Sequence, residues 1–260
     1  MTRDKDLQFK IGQFCKDIKI PGFFQEFEKQ EADPAFSQES FPLRLYLMLQ
    51  AESKSRREKR LNKLFKESGI KDVMPDVSRI TYESDRGLKQ SLVKELSLCR
   101  WIAKEQGLNV IITGMAGTGK TWLAKALGKE AINAGLPTVY WRAATLIDRI
   151  KQARSDNEPI QFRNRLNAKR LLIIDDFGMT PMDEATRDDF FSFIDERGQA
   201  GGSLIIASQR EFGDWYSYIG DKYHADAILD RLKNRSYFIE LKGRSYRERT
   251  KEAKTVRAAG

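Results

Sequence analysis

The spacing of apolar positions changes near residue 79, and this change predicts two structural regions. Before that point apolar residues recur every three or four positions, as in amphipathic helices. The stretches IGQFCKDI and GFFQEFEKQ form the first predicted helices, and a longer helix is predicted from Phe41 to Glu67. We therefore predict a small helical N-terminal domain over residues 1–70, followed by a linker over 71–78.

Beyond residue 79, short apolar runs alternate with helical patterns. The runs with the length and composition of buried strands are NVIIT (109–113), TVYWRA (138–143), RLLIID (170–175), SLIIAS (203–208) and SYFIEL (236–241). The first helical pattern is predicted to continue to Gly107, and the basic region 145–169 to form two short helices around SDNEP. Asp183 is predicted to cap the helix EATRDDFFSFIDERGQ. Apolar strands that alternate with helices predict an α/β fold, with a parallel sheet covered on both faces. This domain is assigned to residues 79–243, and a basic C-terminal segment to 244–260.

A glycine-rich stretch between the first predicted strand and the helix after it contains a specific binding motif. The residues 114–121 fit G-x-x-x-x-G-K-[ST], a phosphate-binding loop that follows a strand and opens a helix. Its glycines allow backbone N–H groups to surround phosphate oxygens. The candidate nucleotide-binding residues are Gly114, Met115, Ala116, Gly117, Thr118, Gly119, Lys120, Thr121 and Trp122. We expect Lys120 to reach the β- and γ-phosphates of ATP, and the Thr121 hydroxyl to bind Mg²⁺.

A second motif predicts the other half of the magnesium site. The run LLIIDDF places Asp175 and Asp176 at the end of a buried strand. We expect Asp175 to hold Mg²⁺ through water and Asp176 to polarise the attacking water. The strand at 138–143 lies between the two motifs along the chain, so an extra strand is expected between them in the sheet. That arrangement is typical of ATP-hydrolysing machines rather than simple kinases. The run IIASQ ends in Gln209, a candidate for orienting the water.

The amount and distribution of positive charge indicate a polyanionic binding partner. The net charge is +9, and basic residues concentrate in the segments 54–66, 142–170 and 231–257. Each segment alone could be an ordinary solvated helix surface. Three such segments beside a phosphate site favour nucleic acid.

The remaining composition excludes several classes of protein. The chain has no apolar run of membrane-spanning length, and its first residues, MTRDKDLQFK, lack the apolar core of a secretory signal. Cys15 and Cys99 lie far apart, and His224 is the only histidine, which argues against a zinc site, a disulfide framework and a Ser-His-Asp hydrolase. We predict a cytoplasmic protein with no membrane partner.

These motifs resemble those of the AAA+ ATPases of the bacterial helicase-loader clade, and within it the IstB transposition helpers, which are relatives of the DnaC loaders. The resemblance covers nearly the whole chain and rests on GMAGTGKT, LLIIDDFG, FGDWYSYIGDKYHADAILDRL and IELKGRSYRERT. The basic stretch LMLQAESKSRREKRLNKLFKESGI also resembles the helix before the ATPase domain in the IstB group. The resemblance implies an AAA+ P-loop fold with a five-stranded parallel sheet sandwiched by helices.

The resemblance also implies roles for individual residues. Arg231 in ILDRL matches the arginine finger that reaches the ATP of the neighbouring subunit. Arg247 in GRSYR matches the sensor-2 arginine, which contacts the γ-phosphate of its own subunit. Gln209 falls at the sensor-1 position, where Asn is commoner. Asp176 stands where many AAA+ enzymes have Glu, so we expect hydrolysis to be intact but slow.

Candidate DNA contacts follow from the same resemblance. The segment 142–170 corresponds to the extra helix that faces the central channel in initiator and loader relatives. Together with the basic helix of the N-terminal domain, it supplies the candidate contacts Arg56, Arg57, Lys59, Arg60, Lys63, Arg149, Lys151, Arg154, Arg163 and Arg165. The chain has no base-reading motif, which favours non-specific binding of double-stranded DNA.

The leading hypothesis is an ATPase that forms a homo-oligomer on duplex DNA through shared ATP sites and helps a transposase select and use its target. One alternative is a DnaC-type replicative helicase loader, which would prefer single strands. Another is an ATP-gated DNA scaffold with negligible hydrolysis. ATP turnover with and without duplex DNA separates an enzyme from a scaffold, and the neighbouring gene separates a transposase partner from a helicase.

Overall fold

The computed structural model describes residues 2–71, 75–102, 107–179, 182–219 and 222–246. The chain divides into two compact units, Met1–Lys63 and Leu64–Gly260. The domain limits given by the sequence pattern, with a linker over 71–78, stay predictions. Within the described ranges, no helix combines the length and the apolar character needed to cross a membrane.

The N-terminal unit is helical, as predicted. Its helices are α1 (Thr2–Asp17), α2 (Pro21–Ala32) and α3 (Phe41–Glu67), and the last turn of α3 belongs to the second unit. The side chain before α2 does not cap that helix. Instead the buried Glu52 of α3 accepts the backbone N–H groups of Gly22 and Phe23, at 2.8 and 3.2 Å. Glu52 therefore fixes the start of α2 against α3.

The second unit contains the predicted alternation of strands and helices. Its strands are β1 (Asn109–Gly114), β2 (Thr138–Arg142), β3 (Leu171–Phe177), β4 (Ser203–Ser208) and β5 (Ser236–Leu241). Its α-helices are α4 (Gln90–Ser97), α5 (Lys120–Asn133), α6 (Ala143–Ser155), α7 (Pro159–Asn167), α8 (Glu184–Gln199), α9 (Trp215–Ile219) and α10 (Lys222–Asn234). Short 3-10 helices occupy Pro34–Gln38 in the first unit and Val77–Arg79, Ser84–Arg86, Arg100–Ile102 and Phe212–Asp214 in the second.

All strand pairs within the described residues are parallel, in the order β2-β3-β4-β1-β5, which confirms the predicted five-stranded parallel sheet. A strand does separate β1 from β3, but it is β4. The prediction that residues 138–143 occupy this position was wrong, because β2 lies at the edge of the sheet. After β1 the chain crosses to form the outermost strand, β2. It then forms β3 beside β2, and β4 lies between β3 and β1.

Helices cover both faces of the sheet. On one face, Leu123 and Leu127 of α5 pack against strand residues that include Ile112 and Ile173. On the other face, Leu146 of α6 joins residues of α8 and α10. Burying one such side chain contributes about 1.5–3 kcal/mol. The two packed layers hold the carboxyl ends of β1, β4 and β3 side by side. These strand ends form the carboxyl edge of the sheet.

Two local predictions are confirmed near this edge. The basic region forms two short helices, α6 and α7, on either side of SDNEP. Asp183 caps α8 by accepting the backbone N–H of Thr186 at 2.9 Å. The hydrogen bond from Lys151, followed by the two from Thr186, holds the pKa of Asp183 well below its usual range.

The helix predicted to continue to Gly107 instead ends at Ser97. Cys99 has a positive φ of 57°, which breaks the helical path. The indole of Trp101 is buried and donates to the carbonyl of Leu96 at 2.8 Å. The sequence pattern missed this break because burial of Trp101 in the core, rather than a Gly or Pro, turns the chain.

Candidate nucleotide-binding site

The predicted phosphate-binding loop connects β1 to α5, and its backbone requires glycine. Gly114 and Gly117 have φ values of 143° and 79°. A Cβ added to Gly114 would lie 2.2 Å from the carbonyl oxygen of Leu241. A Cβ on Gly117 would lie 2.1 Å from the Ser245 hydroxyl oxygen. The loop therefore adopts a turn that side chains would block, with a neighbouring segment close against it.

Lys120 places its positive charge at the centre of this loop. Only 6% of the residue is exposed, and its Nζ donates to the carbonyls of Gly114 and Met115 at 2.7 and 2.8 Å. Lys120 is also the first residue of α5, where helical N–H groups lack partners within the helix. An ammonium group and a helix N-terminus together favour an anion at this position.

Asp175 and Asp176 lie at the end of β3, at the sheet edge where the loop also lies. Asp175 is 1% exposed, and its Oδ1 accepts the backbone N–H of Asp176 at 3.0 Å. Its Oδ2 accepts the hydroxyl of Tyr140 at 2.7 Å. Burial, followed by the bond to Asp175, raises the pKa of Tyr140, so this hydroxyl is protonated at neutral pH. The buried carboxylate of Asp175 is thus held by a donor on each oxygen.

Asp176 adopts an unusual backbone conformation. Its φ is 56°, and the pairing of β3 with β4 shifts register between Ile174 and Phe177. Such a conformation in a non-glycine residue costs about 1 kcal/mol or more and is concentrated at functional sites. The charge of Asp176 also contributes to a raised pKa of Arg142, for which the hydrogen bond with Tyr140 is the largest cause. Asp176 and Arg142 are therefore electrostatic neighbours at the sheet edge.

The ends of β3 and β4 are tied together by polar contacts. The hydroxyl of Ser208 donates to the carbonyl of Phe177 at 2.8 Å and accepts the N–H of Arg210 at 3.0 Å. The Arg210 Nε donates to the carbonyl of Gly178 at 2.7 Å. Gln209 lies between these tied residues and is exposed. Its proposed role in orienting water stays a prediction.

Of the two predicted arginines, Arg231 is the one that lies within the described residues. The Arg231 side chain is 57% exposed and forms an ion pair with Asp195 of α8. Both residues line a cavity that also includes Asn109, the first residue of β1. The phosphate loop follows the other end of β1, whose six residues span about 20 Å. Arg231 therefore lies far from the loop of its own chain, whereas Arg247 lies outside the described residues.

A cavity of about 270 Å³ lies beside the loop. Its lining residues are Arg79, Ile80, Thr81, Arg86, Gly119, Trp122 and Tyr246. Arg86 is 6% exposed, donates to the carbonyl of Thr81 at 2.7 Å, and lies 4.7 Å from the centre of the Tyr246 ring. Its Nε has no hydrogen-bond partner among the described residues. The cavity therefore offers two aromatic side chains and a buried cation next to the loop.

Sequence reasoning identified Trp122 in this cavity but missed Thr81, Arg86 and Tyr246. Thr81 and Arg86 come from a segment before β1 that carries no nucleotide motif, and Tyr246 lies in the GRSYR stretch after β5, where only Arg247 was singled out. Tyr246 donates its backbone N–H to the carbonyl of Gly117 at 3.0 Å. Its hydroxyl also lies 2.8 Å from that of Thr81. Only the fold shows that the two segments meet over the loop.

The oxygen donors at this edge fit a magnesium ion that arrives with a nucleotide. Within the described part of the chain, no three His, Cys, Asp or Glu residues gather to hold a metal by themselves. Mg²⁺ in nucleotide sites commonly uses one or two carboxylates together with substrate phosphates and water. The carboxylate of Asp175 and the hydroxyl of Thr121, the second residue of α5, are donors of this kind.

The candidate DNA contacts differ between the two units. On α6 and α7 the ion pairs are Lys151–Asp183 (2.7 Å), Arg154–Asp189 (2.8 Å), Arg163–Glu196 (3.5 Å) and Arg165–Glu158 (4.0 Å). Arg149 is exposed on α6. On α3, Arg56 pairs with Glu52 at 2.6 Å, and Arg56, Arg57, Lys59, Arg60 and Lys63 are exposed. The pairs Lys151–Asp183 and Arg165–Glu158 are exposed on both sides, and exposed ion pairs of this kind contribute only about 0–1 kcal/mol.

Comparison with known proteins identifies relatives over nearly the whole length. A family model described as "IstB-like ATP binding protein" matches residues 14–254. A Pseudomonas aeruginosa protein named for insertion sequence IS21 and for ATP binding is 31% identical over 207 residues, which are 80% of this chain and 77% of that protein. A Geobacillus stearothermophilus protein named likewise for IS5376 is 26% identical over 243 residues, covering 93% and 95% of the two chains.

Solved structures share the fold of the second unit. The crystal structure of the DnaC helicase loader aligns with a TM-score of 0.57 at 17% identity, over 65% of this chain and 97% of that one. AMPPCP-bound DnaA from Aquifex aeolicus aligns with a TM-score of 0.57 at 22% identity, over 70% and 56%. The α/β unit thus has the AAA+ P-loop fold that the sequence motifs predicted.

Proposed function

The chain belongs to the family of IstB-like ATP-binding proteins, and from that premise we propose that it is an ATPase that assembles on duplex DNA and assists a transposase. The observation that carries this proposal is the placement of Arg231. Arg231 is exposed near the amino-terminal end of β1, whereas the phosphate loop follows the carboxyl end of that strand. A complete ATP site then needs two copies of the chain. The names of the relatives, which refer to insertion sequences, support a transposase as the partner.

Within one subunit, the loop and the neighbouring cavity bind ATP. Lys120 exchanges its bonds to the carbonyls of Gly114 and Met115 for bonds to the phosphates. The base enters the cavity beside Trp122 and Tyr246, whose rings provide stacking surfaces. Arg86 supplies a buried cation on the wall of the same cavity.

The proposed chemistry is hydrolysis of the γ-phosphate. Thr121 and, through water, Asp175 would hold Mg²⁺, which would neutralise charge on the phosphates. Asp176 polarises the attacking water and Gln209 orients it. The side chain of Asp176 is one methylene shorter than the Glu of many AAA+ enzymes, so we propose that turnover is slow.

The neighbouring subunit completes the site. Its Arg231 leaves the exposed ion pair with Asp195, which costs little free energy. The guanidinium then stabilises the charge that develops on the γ-phosphate. ATP held between two copies favours the assembled state by mass action. The proposal also assigns Arg247 to the γ-phosphate of its own subunit.

DNA binding is assigned to the basic helices. The cations of α3 are the first candidates, because Arg57, Lys59, Arg60 and Lys63 are all exposed within about two turns of one helix. These side chains neutralise phosphates without reading bases, so affinity should depend on salt rather than on sequence. Assembly driven by ATP places many such helices along one duplex and increases the total affinity.

Replacing Arg57 and Lys59 together by alanine tests this assignment. Each lost phosphate contact should lower the slope of log affinity against log salt by about 0.9, so the double variant should lose about 2. The measurement is fluorescence anisotropy of a labelled duplex with ATP and Mg²⁺ over a series of salt concentrations.

The matched control replaces Lys5 and Lys16 of α1, which removes the same charge from exposed positions of the same unit. We expect its salt slope to equal that of the unaltered protein. Equal losses in both double variants would contradict the assignment to α3. Failure of the unaltered protein to bind duplex DNA would contradict the proposed function itself.

A further inference from the structure

Tyr140 occupies a position in the sheet from which a long side chain can reach Asp175. In the register of β2 with β3, Tyr140 pairs with Ile173, and Asp175 follows two residues later. Residues two apart on a strand share one face of the sheet. Such a diagonal pair lies about 7–8 Å apart, within reach of aromatic and other long side chains. The strand register therefore brings the Tyr140 hydroxyl to the carboxylate of Asp175.

The resulting contacts hold both oxygens of that carboxylate. The Tyr140 hydroxyl donates to Oδ2 at 2.7 Å, and the backbone N–H of Asp176 donates to Oδ1 at 3.0 Å. An ionised carboxylate offers about two acceptor sites on each oxygen. One site on each oxygen is thus used by the protein, and the direction of the remaining sites is fixed.

The ring of Tyr140 is itself held in place. It packs against the core cluster under α5, and the Nζ of Lys125 lies 4.8 Å from the ring centre. Lys125 belongs to the helix that begins with Lys120 and Thr121. The same helix therefore contributes the loop cation, the candidate magnesium hydroxyl and a contact that positions Tyr140.

We propose that Tyr140 is a positioning residue for the magnesium site: its hydroxyl fixes the orientation in which Asp175 receives the water ligands of the ion. The inference rests on the proposed function, since it requires ATP and Mg²⁺ at the loop. The proposed effect of Tyr140 passes through Asp175, to which its hydroxyl donates. Neither the phosphate-loop motif nor the Asp-Asp motif includes this residue.

Tyr140→Phe is the direct test, because it removes only the hydroxyl and keeps the ring beside Lys125. Binding of the fluorescent analogue mant-ATP is measured first in EDTA and then during titration with Mg²⁺. Loss of a hydrogen-bond partner of a metal ligand commonly weakens metal binding about 10- to 100-fold. We expect the Mg²⁺ concentration at half-effect to rise about 10-fold, with the affinity in EDTA unchanged.

Tyr237→Phe is the matched control. Tyr237 lies on β5 rather than β2, and its hydroxyl donates to a carboxylate oxygen of Glu95 at 2.9 Å. This variant loses the same kind of hydrogen bond, and we expect its Mg²⁺ titration to match that of the unaltered protein. Adding Tyr140→Phe to Asp175→Asn should cause no further change in the titration, because the orienting bond has lost its function.

The outcomes separate the inference from the proposed function. An unchanged Mg²⁺ titration in Tyr140→Phe, with the unaltered protein responding to Mg²⁺, would overturn only the role of Tyr140. Equal weakening in EDTA and in Mg²⁺ would show a general structural role and would also overturn it. An unaltered protein that binds no mant-ATP would instead contradict the ATP site.

Discussion

Arg231→Ala is expected to lower ATP hydrolysis about 10³-fold, the lower end of the effect of an arginine finger. The affinity of a single subunit for ATP should stay the same. The reason is distance, since Arg231 lies at the amino-terminal end of β1 and the phosphate loop lies beyond its carboxyl-terminal end. The variant should also lose ATP-dependent assembly. Steady-state phosphate release and sedimentation in ATP measure the two effects.

Lys233→Ala is the control for this prediction. Lys233 is an exposed cation of the same helix, α10, and its replacement removes the same charge. We expect it to hydrolyse ATP and to assemble as the unaltered protein does. Normal hydrolysis and normal assembly in Arg231→Ala would show that Arg231 is an ordinary surface cation paired with Asp195.

Lys120→Ala is expected to weaken ATP binding about 10- to 100-fold, because one hydrogen bond to a charged group contributes about 1.5–3 kcal/mol. Hydrolysis should fall by a further factor, to about 10²- to 10³-fold below the unaltered rate, since the lysine also stabilises charge in the transition state. Isothermal titration with ATP and Mg²⁺ measures the first effect, and phosphate release measures the second.

The structure also provides the control for this variant. Lys129 lies farther along α5, away from the loop, so Lys129→Ala removes the same charge from the same helix. Thermal unfolding should be measured for both proteins, because Lys120 donates to two loop carbonyls. Unchanged ATP affinity in a folded Lys120→Ala protein would contradict the nucleotide loop.

Much of the fold was predictable because its information is local. Apolar runs located all the strands of the sheet, and the Asp183 cap and the long α3 helix followed from short patterns. The order of the strands was not predictable in the same way. Whether β2 or β4 lies beside β1 depends on packing between segments that are distant in sequence, so the order in the chain misled the prediction.

The same distinction applies to the candidate site. Lys120 and Asp175 belong to contiguous motifs, so sequence alone could single them out as candidates. Arg86, Tyr246 and Tyr140 contribute through contacts that join separate segments of the chain. Tyr140 shows the difference most clearly. Its strand was predicted, but its bond to Asp175 depends on the register of β2 with β3, which no local pattern contains.

The most direct test of the shared ATP site is to mix Lys120→Ala with Arg231→Ala. The first variant keeps Arg231 and the second keeps the loop, so a complete site forms only where the loop of an Arg231→Ala subunit meets the Arg231 of a Lys120→Ala subunit. In an equal mixture such sites are about one quarter of all sites if neighbours combine at random, and about one half if only complete sites hold subunits together. We predict that the mixture recovers between about a quarter and about a half of the unaltered hydrolysis rate, although each variant alone is nearly inactive. A rate equal to the sum of the separate rates, in mixtures shown by sedimentation to form joint assemblies, would contradict the shared site.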